Sequence, residues 1–217
     1  MTNREKVILS TEKEKIIAIM RGVDPEACLK TAEALYAGGI RMLEVTFNQK
    51  NPDSFKDTAT AIRRISETFG DDMLVGAGTV LTKEQVDMAA EAGGLYMISP
   101  SVNEAVIRYT RELDLVSMPG AMTPTEVMTA HLAGADFVKL FPVGDLGASY
   151  VKSIRGPISH VKLLAVGGVN SSNVADFLKA GCVGAGVGGN LVNSTWISQG
   201  EFHKITQVAA ELVAAVK

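Results

Sequence analysis

Thr123-Pro124-Thr125-Glu126 opens a segment that Ala133-Gly134 closes, and the run Phe137-Val138-Lys139-Leu140-Phe141 follows directly. Each piece has a local physical reading. A threonine before a proline at the first helical position, with a glutamate three residues after the threonine, can satisfy two orphan backbone donors reciprocally and start a helix. Glycine suits the left-handed position that ends one. A short run with apolar residues on both alternations suits a parallel strand covered on both faces. The stretch is one helix-then-strand unit.

Working outward, the same rhythm recurs. The apolar runs are Ile16–Met20, Met42–Phe47, Leu74–Val80, Tyr96–Ser99, Leu115–Met118, Phe137–Phe141, Leu163–Val166 and Gly184–Gly188. Asp24-Pro25 and Asn51-Pro52 repeat the cap-then-proline start, and Thr82-Lys83-Glu84-Gln85 repeats the capping-box spacing. Ala37-Gly38, Ala92-Gly93 and Ala180-Gly181 repeat the ending ahead of runs two, four and eight. Strand–helix alternation requires a parallel sheet, because each helix carries the chain back to begin the next strand. Eight repeats closing on themselves predict an α/β fold, a (β/α)8 TIM barrel, near the compact end of that fold at 217 residues. Asn3–Lys15 is expected to be a short N-terminal capping helix and Glu201–Lys217 the last helix, within a single domain over residues 1–217. The rival is a doubly wound open sheet. No G-x-G-x-x-G follows the first run, which weakens its dinucleotide-binding version.

Composition bounds the function classes. The chain is 47% hydrophobic and 21% charged, which excludes a disordered segment, and its net charge of −3 argues against nucleic acid as a partner. No apolar stretch is long enough to span a membrane, and the first fifteen residues lack the apolar core of a signal peptide, so the expectation is a cytoplasmic protein with no membrane partner. Cys28 and Cys182 are too few for a disulfide scaffold and read as small buried hydrophobes. His131, His160 and His203 are scattered, none beside a carboxylate or cysteine at metal-ligand spacing, so neither a metal nor another cofactor is expected. Trp196 reads as packing.

A barrel carries its reactive groups at the C-terminal ends of its strands. Three ionisable residues fall in or just after the runs: Arg21, Glu44 and Lys139. A lysine between Phe137-Val138 and Leu140-Phe141 needs a reason, since burying an unpaired ammonium is costly. One reason is a lowered pKa, which leaves a neutral amine able to attack a carbonyl. A carboxylate in an apolar strand can likewise have a raised pKa and work as general acid and base. The bland alternative for both is one structural ion pair inside the barrel. Gly167-Gly168 after run seven, and the glycines from Gly184 through Gly188 and Gly189, suit loops that bind phosphate through bare backbone N–H groups, or simply tight turns. Gly76-Ala77-Gly78-Thr79 adds a hydroxyl at a strand end, or only a packed β-branched residue.

Glu44-Val45-Thr46, Gly76-Ala77-Gly78-Thr79-Val80-Leu81, Ile98-Ser99-Pro100, Pro119-Gly120, Phe137 to Pro142 and Gly167-Gly168-Val169 occur together and in one order. Over essentially its whole length the chain resembles the 2-keto-3-deoxy-6-phosphogluconate (KDPG) aldolases, a family that includes 4-hydroxy-2-oxoglutarate (KHG) aldolases. The resemblance implies a class I pyruvate aldolase without metal or cofactor, taking a small 2-keto acid as substrate and working as a homotrimer. It would cleave KDPG to pyruvate and glyceraldehyde 3-phosphate, or KHG to pyruvate and glyoxylate. By the same resemblance Lys139 matches the Schiff-base lysine and Glu44 the general acid/base. Thr79, Pro100 and Phe141 match positions lining the pyruvyl pocket, and Arg21 an arginine near the substrate's anionic end. Gly167, Gly168, Gly188 and Gly189 match the phosphate side.

Two positions depart from the pattern. Asn48 stands where one branch has an arginine that holds the pyruvyl carboxylate. Asparagine there is common in the branch that cleaves 2-dehydro-3-deoxy-6-phosphogalactonate, which makes that sugar acid an alternative substrate. Gly189 replaces a serine often found in the phosphate loop, which makes an unphosphorylated substrate more plausible. Two further alternatives use the same barrel. One is a different phosphate-binding enzyme with Lys139 as a protonated anion ligand. The other is a non-catalytic sugar-acid binder, against which the intact Glu44 and Lys139 pair argues.

Overall fold

A computed structural model describes residues 1–217, the side chain of Pro25 excepted. Its strands are β1 (Ile16–Met20), β2 (Met42–Thr46), β3 (Leu74–Gly78), β4 (Tyr96–Ile98), β5 (Val116–Met118), β6 (Gly120–Ala121), β7 (Val138–Leu140), β8 (Leu163–Val166) and β9 (Cys182–Val187). Between and around them lie α1 (Asn3–Glu14), α2 (Pro25–Ala37), α3 (Phe55–Phe69), α4 (Lys83–Glu91), α5 (Glu104–Glu112), α6 (Pro124–Leu132), α7 (Gly147–Arg155), α8 (Val174–Lys179), α9 (Ser194–Ser198) and α10 (Phe202–Ala215).

The strands form one sheet in the order β5-β4-β3-β2-β1-β9-β8-β7-β6, every paired neighbour parallel. The two ends of that order, β5 and β6, are consecutive in the chain and separated only by Pro119. Proline has no N–H to give a ladder, so the strand changes partner there: β5 bonds to β4 and β6 to β7. The Pro119 carbonyl still accepts from the Lys139 amide at 2.9 Å. The predicted fifth run thus continues past Met118 in two pieces, and the barrel has the expected eight staves.

The helix ends follow their chemistry, with corrections. Thr123 and Glu126 cap α6 reciprocally. Thr82 accepts from the Gln85 amide, but the Gln85 side chain bonds the Leu81 amide instead of that of Thr82, so the second box is only half formed. Asn51 makes no side-chain cap, because Pro52–Ser54 is a 3-10 turn ahead of α3. After α2 the left-handed residue is Gly39 (φ +94°), not Gly38, because two glycines stand in tandem there. The expected capping helix is α1, closed at both ends by a Thr2 capping box and a left-handed Lys15. It plugs the N-terminal end of the barrel, with Val7 fully buried among interior residues.

Strand alternation sorts the core into two shells. Ile17, Ile19, Met42, Leu74, Tyr96, Val116, Phe137 and Leu164 fill the barrel interior, while the outward alternation packs under the helices. Two glycines of β3 shape that interior. A Cβ on Gly76 would lie 2.2 Å from the Tyr96 ring, and one on Gly78 would lie 2.8 Å from the Glu44 carboxyl carbon. β3 therefore gives up side chains so that a tyrosine and a carboxylate can enter. Trp196 on α9 packs against the outer shell, as its position after the last strand implied.

Candidate active site

Glu44 is the third residue of β2 and alternates inward with Met42 and Thr46, so pleat geometry alone aims its carboxylate into the barrel. Lys139 does the same from β7, level with Gly120 on one side and Leu164 on the other. Both are buried, at 1% and 4% exposure. No ion pair within 4.0 Å joins either to any partner among the described residues. Oε2 of Glu44 has no protein hydrogen-bond partner among the described residues, and Nζ of Lys139 rests 4.8 Å from the centroid of the Phe141 ring. The tight structural ion pair that would have made these two charges inert is not formed.

Burial decides their protonation. Loss of water pushes the Glu44 carboxyl above its ordinary range, more than Lys139 and Arg21 pull it down. Loss of water also holds the Lys139 ammonium below its ordinary value. Glu44 opposes that shift and Arg21 adds to it. Both groups move toward the neutral form, which for the lysine is the nucleophilic form.

A cleft of about 320 Å³ opens at the C-terminal ends of the strands above Lys139. Arg21, Phe141, Gly167, Gly168, Gly188 and Gly189 line it with Lys139, so seven of the residues expected from sequence share one wall-to-wall space. Ile19, Lys139, Val166 and Gly186 also border a small inner cavity whose far side is Glu44. Lysine is the floor of the outer cleft and glutamate the back of the inner one.

Thr79, Pro100 and Asn48 do not line this cleft. Thr79 follows Gly78 at the end of β3 and holds φ at +55°, a strained setting for a β-branched residue. Pro100 packs its backbone on the far side of the Lys139 layer, where a Cβ on Gly120 would lie 2.4 Å from its carbonyl. Asn48 is exposed, accepts from the Lys50 amide at 3.1 Å, and lines a neighbouring hollow with Met20, Thr46 and Asp57 instead. A larger hollow of about 740 Å³ lies outside the barrel beside Leu81, Ser101 and Thr129. Its acids are occupied, Glu104 with Arg108 and Glu126 in the α6 cap, so it offers no reactive pair.

Two asparagines escaped the sequence reading. Asn173 donates to the Gly168 carbonyl within the loop after β8, and Asn190, after β9, donates to the Val169 carbonyl, each at 3.0 Å, so that the second bond ties the two loops together. The amides of Gly189 and Asn190 have no protein acceptor among the described residues, and a Cβ on Gly189 would meet open space. Asn190 directly follows the glycine run, and that adjacency was the available signal. Burial pushes the Cys28 and Cys182 thiols up to about 11 and about 12, which leaves both inert.

The family model for KDPG and KHG aldolases matches residues 7–208. The chain belongs to the KDPG and KHG aldolase family. It is 38% identical over 188 residues, 86% of each chain, to a probable 2-dehydro-3-deoxy-6-phosphogalactonate aldolase of Rhizobium meliloti. It is 30% identical to the KHG/KDPG aldolase of Escherichia coli over 217 residues, covering 100% of this chain and 97% of the relative. Among solved structures, the KDPG aldolase of Legionella pneumophila superposes with a TM-score of 0.83 at 28% identity over 98% of each chain. That structure holds pyruvate captured at low pH as a covalent carbinolamine intermediate. No helix of this KDPG/KHG-family chain is long and apolar enough to cross a membrane, among the residues described.

Proposed function

We propose that this chain is a class I aldolase that cleaves 2-keto-3-deoxy-6-phosphogluconate to pyruvate and glyceraldehyde 3-phosphate, or 4-hydroxy-2-oxoglutarate to pyruvate and glyoxylate. One observation carries the reading: a buried lysine and a buried glutamate, neither in an ion pair, line one small cavity inside the barrel. The neutral Lys139 amine attacks the C2 carbonyl, and protonated Glu44 gives its proton to the carbinolamine hydroxyl, which leaves as water to give an iminium and a Glu44 carboxylate. The C3–C4 bond then breaks with its electron pair drawn into that iminium, giving an enamine, while Glu44 takes the C4 hydroxyl proton directly or through water. The aldehyde leaves. Glu44 helps return a proton to C3, and hydrolysis frees pyruvate and restores the amine.

Arg21 and the free amides at Gly189 and Asn190 supply positive potential where the far anionic end of the substrate would lie. Thr79, Pro100 and Phe141 would enclose the pyruvyl end. A second reading, cleavage of the phosphogalactonate epimer, is favoured by Asn48 and by the Rhizobium relative, whose identity to this chain exceeds that of the KHG/KDPG relative. Pyruvate release from each of the three substrates tests both readings. A preference of at least about tenfold, worth about 1.4 kcal/mol of transition-state binding, assigns the substrate. No release from any of them overturns the proposal. We also infer that the chain is a single domain, that it is cytoplasmic, and, as the family resemblance implies, that it assembles as a homotrimer. Light scattering at three times the chain mass is expected, and a monomer would contradict it.

A further inference from the structure

Thr79 holds its left-handed backbone through a chain of side chains that reaches it from outside the barrel. Gln85 on α4 is buried, at 2% exposure, and its two amide ends are both used. Its Oε1 accepts from the Leu81 amide at 2.7 Å, and its Nε2 donates to Oε1 of Gln49 at 3.1 Å. Nε2 of Gln49 in turn donates to the Thr79 carbonyl at 2.8 Å. The flanking groups are engaged too. The Gly78 carbonyl accepts from the Phe47 amide, the Val80 amide donates to Ile98, and the Val80 carbonyl accepts from the Ser99 hydroxyl at 2.6 Å. Thr79 is thus the one strained link in this stretch, and its carbonyl is held by a glutamine pair joining the loop after β2 to the start of α4.

We propose that Gln49 and Gln85 are positioning residues for the keto-acid end of the pocket, fixing the backbone of Thr79, which directly follows the Gly78 notch beside the Glu44 carboxylate, so that its side chain is set toward the bound substrate. The inference rests on the Schiff-base reading above and deepens it. Neither glutamine lines the cleft, so neither is a catalytic residue. Without the Gln49 donor the Thr79 carbonyl is free to rotate. The residue can then relax to negative φ, and a relaxed Thr79 no longer presents the same face to the substrate.

Borohydride trapping titrated with pyruvate tests this, with thermal melting measured alongside. Gln49 is exposed, so Gln49→Ala should melt like the wild type. Its half-saturating pyruvate concentration should rise roughly tenfold, the scale of one lost positioning hydrogen bond. Gln85→Glu keeps the acceptor for Leu81 but sets oxygen against oxygen at Gln49, and should raise the half-saturation likewise. Adding Gln49→Lys supplies an ammonium able to bond both that carboxylate and the Thr79 carbonyl, so the double variant should recover toward wild type. An unchanged half-saturation in Gln49→Ala overturns the inference while leaving the Schiff-base reading intact. So does a loss of melting temperature that the double variant fails to rescue together with binding. Absence of any adduct in the wild type overturns the Schiff-base reading itself, and this inference with it.

Discussion

The two ends of the barrel treat buried charge in opposite ways. At the N-terminal end, under the α1 plug, Asp136 is buried with its side chain 3% exposed, yet it bonds Arg4, lies 3.6 Å from Arg111 and accepts from the Ser117 amide at 2.9 Å. Around it Lys162 reaches Glu12 and Lys6 reaches Asp71 nearer the surface, Lys15 donates to the Val216 carbonyl, and of this end's groups Nε of Arg4 is buried without a partner among the described residues. At the C-terminal end Glu44 and Lys139 are just as deeply buried and have no such partners. Paired burial locks a plug in place. Unpaired burial stores the cost of dehydration in two groups whose protonation states are thereby poised for chemistry.

The largest effect should come from removing the poised charge itself. Lys139→Met is expected to abolish turnover while raising the melting temperature by a few degrees, because an unpaired buried amine becomes an apolar side chain of similar reach. Activity assays and calorimetry read the two effects separately. Glu44→Gln should cut turnover by about 10²–10⁴-fold, the usual contribution of a positioned acid–base group, yet still permit an adduct with pyruvate. The mirror-image change at the other end, Asp136→Asn, should leave kcat/KM near wild type. It should lower unfolding free energy by about 3 kcal/mol in urea titrations, since it strands two arginines beside a neutral amide.

The pH dependence of stability sharpens the same contrast. Between the ordinary carboxylate range and the raised value of Glu44, the folded chain holds a proton that the unfolded chain has lost. Wild-type stability should therefore fall as pH rises through that window, and Glu44→Gln should remove the fall. The advantage of the variant over wild type should grow from acid toward neutral pH, as urea midpoints would show. Lys139 has the opposite sign: with its folded value lowered, stability rises with pH up to the ordinary lysine range, and Lys139→Met should flatten that rise. The smallest effect is expected at Gly189. Gly189→Ser places a hydroxyl in open space beside free amides and should tighten inorganic phosphate binding about threefold, with no loss of stability, by calorimetric titration.

Much of this was legible before any coordinates. Lys139 and Glu44 stood out because a charge inside an apolar run is costly and therefore needs a cause, and the repeated cap and Ala-Gly signals set the strand–helix rhythm. What stayed hidden depends on distance between segments far apart in sequence. Tyr96 opens the fourth apolar run with no other mark in the sequence, and only the barrel shows it filling the notch that Gly76 leaves beneath Glu44. Pro119 read as the end of a run, because a strand that changes partners at a proline has no local mark. Asp136 carries no local signal of its role, since its arginines come from α1 and α5. Asn48 was identified by position, but its side chain accepts from the Lys50 amide of its own loop and lines a different hollow from Lys139.

Reduction with borohydride in the presence of pyruvate, followed by peptide mass mapping, tests most directly whether the unpaired charge is the reactive one. A single pyruvyl adduct on Lys139, absent from Lys139→Met and present in Asp136→Asn, is the expected result. No adduct in folded protein, or an adduct on an exposed lysine with Lys139 untouched, would contradict it.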